Sequence, residues 1–111
     1  MLPVVHKLIV KLLSGSLTKG KLGLHEITTD IHTFARGLSN NDFIIAKMSG
    51  TTYTGTDLPT QTPNGYGWAN NAIVFVRSNM IILFNPYKPI FARYINGAWN
   101  PWMDCAGSTI P

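Results

Sequence analysis

The chain has 111 residues, 45% of them hydrophobic and 13% charged, which is enough apolar material for one core and too little for two full domains or a disordered chain. Its net charge of +4 sits entirely in the first 25 residues, where Lys7, Lys11, Lys19 and Lys21 meet no acid, while from Glu26 onward five basic and five acidic residues cancel. Aromatic residues follow the opposite rule, since none precedes Phe34.

The apolar positions Leu2, Val5, Leu8, Ile9, Leu12 and Leu13 recur at three- and four-residue intervals, which predicts a short amphipathic helix with Lys7 and Lys11 on another face. No small-residue cleavage pattern follows it, so it reads as retained chain. Ser14 to Gly23 is rich in glycine and serine and reads as a linker. Residues 1–25 are therefore expected to be a basic helix-and-linker lead-in, and residues 28–111 a separate folded body. His25, Glu26, Asp30 and His32 fall close together, and are read as a solvated, turn-forming connection rather than a metal site.

From Asn41 onward the pattern is that of strands. Asp42 to Met48 reads as a strand, and a polar stretch with Pro59, Pro63, Asn64-Gly65 and Gly67 follows as a long loop. Ala72 to Arg77 and Met80 to Phe84 are apolar runs separated by Ser78-Asn79, the spacing of a tight hairpin. Ile90 to Ile95 meets Asn96-Gly97, a strong hairpin signal, and returns as Ala98 to Met103. A two-residue turn there predicts the pairs Ile95–Ala98, Tyr94–Trp99, Arg93–Asn100 and Phe91–Trp102. It also brings Arg93 within stacking reach of Trp102. Pro101 lacks an N–H, which marks this return strand as an edge. Both faces of the central hairpin look apolar, which calls for a partner surface.

Several chemistries are excluded or thin. A lone Cys105 makes neither an intrachain disulfide nor a multi-cysteine zinc site. The longest apolar runs are five residues, against roughly 20 for a transmembrane helix. His6, His25 and His32 lack i, i+4 ligand spacing, the five acids show no recognisable acid–base pairing, and no G-x-S-x-G, P-loop or G-x-G-x-x-G is present. The aromatic half is electrically neutral, so stacking side chains and phosphate-neutralising cations are not interleaved as a nucleic-acid binder needs. Tyr53, Asp57, Tyr66 and Trp68 in the long loop suit carbohydrate, because aromatic faces stack on sugars while amides and acids bond hydroxyls. The same residues would equally serve to close a core.

The stretch Phe91-Ala92-Arg93-Tyr94-Ile95-Asn96-Gly97-Ala98-Trp99-Asn100-Pro101-Trp102 resembles the aromatic/Arg/Asn-Gly/Trp-x-x-Trp pattern that closes knob-type domains of bacteriophage and R-type pyocin tail fibres. Asp30-Ile31-His32-Thr33 resembles the opening of those domains, and the likeness spans about residues 28 to 105. The resemblance implies a non-enzymatic tail-fibre module that assembles as a homotrimer with other tail proteins, attaches to a host cell-surface glycan and resides in the virion after synthesis in the bacterial cytoplasm. It implies no cofactor, no metal, no nucleic acid and no membrane insertion. Two rival readings are an architectural collar or adaptor without ligand, and a small glycan-processing enzyme domain. The expected fold is mainly β, a small antiparallel meander or sandwich-like trimeric domain with a short N-terminal helix. Arg93, Asn96, Gly97, Trp99 and Trp102 are expected to lock its last hairpin, and Tyr53, Asp57, Tyr66 and Trp68 to be the ligand contacts.

Overall fold

The computed structural model describes residues 22–63 and 65–111. The helix expected over Leu2 to Leu13 lies outside them. The described chain forms β1 (Leu22–Glu26), a short helix α1 (Ile31–Arg36), β2 (Ile44–Met48), β3 (Ala72–Arg77), β4 (Met80–Phe84), β5 (Ile90–Ile95), β6 (Ala98–Trp99) and β7 (Met103–Asp104). The strands lie in the order β1-β2-β3-β4-β5, and the far edge of β5 is taken by β6 at one end and β7 at the other.

The β2-to-β5 meander follows from alternation. In β3, Ala72, Val74 and Val76 point to one face and are buried, as are Ile81 and Leu83 in β4 and Ile90 and Ala92 in β5. β-Branched side chains at these positions suit a pleated, buried surface. Ser78-Asn79 makes the expected two-residue turn, with Arg77 opposite Met80. Asn96-Gly97 makes the other, with both residues at positive φ (55° and 82°). That geometry matches the twist of the flanking strands, and a β-branched residue could not adopt it cheaply.

Three departures have physical causes. The sheet is mixed rather than wholly antiparallel, because β1 pairs parallel with β2 and α1 lies in the crossover between them. β1 begins at the end of the expected linker and lies mostly within the 1–25 lead-in, and its Leu-Gly-Leu-His-Glu sequence is too short to be read as a strand. Nor is there a second sheet among the described residues: the buried face is closed by α1, through Ile31 and Ala35, and by Trp68 and Trp102.

The last hairpin departs from its expected register. Tyr94 pairs with Trp99 and Ile95 with Ala98, but Phe91 pairs with Met103 instead of Trp102. Pro101 and Trp102 thus oppose the single residue Ala92, which is a bulge at the position where proline cannot donate to the ladder. The extra residue turns Trp102 into the core, where it is 5% exposed. Arg93 does not stack on it. Its guanidinium is exposed near the Met103 sulfur, and the cations over aromatic rings are Arg36, 3.8 Å from the centre of Tyr94, and Lys88, 5.4 Å from the centre of Tyr87.

The outer face is also apolar, as expected. Ile45, Phe75, Ile82, Phe91 and Met103 form a row across five strands, and Ile73 beside Phe84 are 52% and 44% exposed. Among the described residues nothing covers this face. The two faces therefore differ in their energetic roles. Leu83→Ala, in the closed core, is expected to cost about 3 kcal/mol of stability, whereas Ile73→Thr on the open face should shift that of a single chain by less than about 0.5 kcal/mol; urea denaturation midpoints of the two variants, taken at dilutions where the chain is monomeric, check this.

Candidate functional site

The loop between β2 and β3 contains no strand, and hydrogen bonds to α1 shape its first half. A six-residue helix is too short to persist alone, and Asp30 at its N-cap position makes no side-chain cap. Residues from the loop satisfy the free N–H groups instead. Ile31 N–H donates to Tyr53 Oη at 3.1 Å and His32 N–H donates to Asp57 Oδ2 at 2.7 Å. The Tyr53 hydroxyl in turn donates to Asp57 Oδ1. Thr56 N–H donates back to Asp30 Oδ1 at 2.7 Å. Gly55 is required here, since a Cβ at that position would collide with the Tyr53 phenol and lie 2.8 Å from Asp30 Oδ1.

The C-terminal segment joins the same knot. Trp102 Nε1–H donates to the Asp57 carbonyl at 2.7 Å. The His32 ring lies parallel to Trp99 and Trp102, with centroids 4.6 and 5.4 Å away. Burial holds the His32 imidazole below its ordinary pKa, against the opposing pull of Asp57 and Asp30. Its Nε2 is buried without a partner. Burial, with the Asp57 hydrogen bond, pushes the Tyr53 phenol far up, so it remains a neutral donor.

Of the residues expected to meet a ligand, Tyr53 and Asp57 are thus half-buried and occupied with capping α1. Trp68 is 3% exposed, and its indole N–H donates to the Gln61 carbonyl, pinning the loop from beneath. Its ring face is not available for stacking on a sugar. Tyr66 alone stands clear, at 74% exposed. The residues expected to lock the last hairpin divide similarly. Asn96 and Gly97 form the turn and Trp99 and Trp102 anchor it, while Arg93 holds the hairpin through its carbonyl, which accepts the Asn100 N–H at 2.7 Å, and its side chain reaches only Met103.

Tyr66 lines an open cleft of ≈ 270 Å³ whose other wall is Tyr87, 52% exposed, with Asn70 and Asn85 between them. Tyr87 and Asn85 fall between the runs Met80 to Phe84 and Ile90 to Ile95, outside every strand that the sequence predicts. The available signal was a tyrosine set between Pro86 and Pro89, which is an aromatic ring on a stiffened turn. Asn85 Oδ1 accepts hydrogen bonds from Tyr87 N–H at 2.7 Å and Lys88 N–H at 2.9 Å. This Asx-type turn fixes the Tyr87 backbone, and the edge of Trp68 meets the Tyr87 ring from below, at 6.0 Å and 66°. The Asn85 amide Nδ2 is buried without a partner.

The acids have structural work. Glu26 accepts from Thr52, Asp30 from Thr56, Asp42 from Ser39, Asp57 from Tyr53 and His32, and Asp104 from Ala106 and Ser108. Among the described residues no three His, Cys, Asp or Glu side chains gather as a metal site, and no helix is long and apolar enough to cross a membrane. The chain matches no family model, no curated protein and no solved structure, so function must be read from this geometry.

Asp57→Ala would leave the His32 N–H and the Tyr53 hydroxyl without their acceptor, and is expected to cost about 3 kcal/mol, measurable by chemical denaturation. The pH dependence follows from His32. Its folded-state pKa lies below the ordinary 6.5, so the unfolded chain binds the proton more readily. Stability falls as pH drops from 6.5 toward the lowered value and then levels off. His32→Gln should flatten that step in a series of thermal melts, without affecting the separate loss below pH 3.8 to which Asp104, its carboxyl held down by the Ser108 N–H, contributes.

Proposed function

We propose that this chain is a non-enzymatic receptor-binding module of a phage tail fibre or a phage-derived tail particle, which binds a bacterial cell-surface glycan. The observation that carries the reading is the Tyr66–Tyr87 cleft: two exposed rings and the two amide side chains of Asn70 and Asn85. Paired aromatic faces take the C–H surfaces of a pyranose ring, and amides bond its hydroxyls. The tail-fibre setting rests on the sequence resemblance across residues 28 to 105.

Assembly as a homotrimer is part of the same proposal. An apolar sheet face that no described residue covers, with Ile73, Phe84 and Ile95 more than two-fifths exposed, is the sort of surface that monomers bury by association. That face also favours the second reading, an architectural collar or adaptor that binds no ligand, since self-assembly needs no cleft.

Two measurements separate them. On an array of bacterial glycans, the native chain is expected to bind, and Tyr66→Ala and Tyr87→Ala to lose at least about tenfold in affinity with unchanged circular dichroism. Binding by no glycan supports the collar. Light scattering should give about three times the 12.2 kDa chain mass, and Phe84→Asp should reduce it to that of one chain; a strict monomer in the native protein removes the fibre reading.

A further inference from the structure

The Tyr66–Tyr87 cleft does not end at Tyr87. Pro63 and Tyr87 also wall a second hollow of ≈ 260 Å³, whose remaining lining includes Gln61, Lys88, Asp104 and Thr109. Each hollow alone falls just short of the roughly 300 Å³ at which small-molecule sites begin, and joined across Tyr87 they lie within the usual range. The two differ in character: the first is bounded by aromatic rings and prolines, the second by polar and charged groups.

The charged pair in the second hollow is loose in a way that suits a hydroxyl. Asp104 Oδ1 is taken by the N–H groups of Ala106 and Ser108 at 3.0 and 2.9 Å. Oδ2 faces only the Lys88 ammonium, at 3.7 Å. That is well beyond the roughly 2.8 Å of a formed charge-assisted hydrogen bond, and the ammonium also lies over the Tyr87 ring, 5.4 Å from its centre, so each group keeps room for a further hydrogen bond. A single sugar hydroxyl placed between them would accept from Lys88 Nζ and donate to Asp104 Oδ2. With one cation and one anion among its lining residues, the groove has no excess charge to select an acidic sugar.

Resting on the glycan-binding reading, we propose that the two hollows form one groove for a neutral oligosaccharide. One sugar unit stacks at Tyr66 and Tyr87, and the next is held through its hydroxyls by Lys88 and Asp104. Tyr87 is the shared wall, and its position is fixed on both sides, by the Asn85 turn and by Trp68. A groove of this kind reads length: a monosaccharide fills one half only.

Titration of the full chain with one-, two- and three-unit members of the malto-, chito- and oligogalacturonate series, followed by saturation-transfer NMR and calorimetry, tests this. A neutral series is expected to gain about tenfold in affinity from one unit to two. Lys88→Ala and Asp104→Asn should each abolish that gain with circular dichroism unchanged, and Tyr66→Ala should weaken every length. If Lys88→Ala and Asp104→Asn keep the gain while Tyr66→Ala still weakens binding, the second half is not a subsite, the inference fails and the glycan reading stands. Tighter binding of the galacturonates than of either neutral series overturns the neutral class. Binding of no member of any series overturns the glycan reading itself.

Discussion

The constraint on which the rest of this structure depends is the carboxylate of Asp57. Its two oxygens receive the Tyr53 hydroxyl and the His32 N–H, and its own carbonyl receives the Trp102 indole N–H. One residue thereby ties together three stretches that the sheet does not connect: the helix in the β1–β2 crossover, the β2–β3 loop, and the segment after the final hairpin. A helix of six residues cannot supply its own stability, so α1 exists because this loop caps it. The closed face of the sheet exists in turn because α1 places Ile31 and Ala35 over it.

What could be read from the sequence divides along this line. The meander, both tight turns and the apolar character of both sheet faces were legible, because each is set by alternation and turn chemistry within a few residues. α1 was not legible, since its capping partners lie 22 and 25 residues away and its span is too short to show a period. The side of the sheet on which Trp102 falls was missed for a related reason. The Asn96-Gly97 turn fixed the first two pairs, but the bulge at Pro101 reset the count, and a shift of one residue moves a side chain to the other face.

The ligand residues show the limit of composition as a guide. Tyr53, Asp57, Tyr66 and Trp68 carry equally suitable chemistry, yet three of the four are spent on holding the scaffold. Trp68 still serves the cleft indirectly, because it is the surface against which Tyr87 rests. Exposure rather than residue type separates the groups available to a ligand from those that hold them in place, and exposure here is decided by contacts between the long loop, the β4–β5 turn and the C-terminal segment. These three meet because β2 ends, β3 begins, β4 ends and β5 begins at one end of the sheet.

The parallel pairing of β1 with β2 gives the domain a polarity. Leu22 lies beside Ile45, at the end of the sheet that carries the Ser78-Asn79 turn, whereas the groove is at the end marked by Met48, Phe84 and Ile90. A strand of five residues separates the two ends by roughly 17 Å. An antiparallel first strand would have delivered the incoming polypeptide to the rim of the groove. As built, β1 starts at the pole opposite the groove, so the rim of the groove is made by the β2–β3 loop, the β4–β5 turn and the C-terminal segment without the N-terminal end of β1.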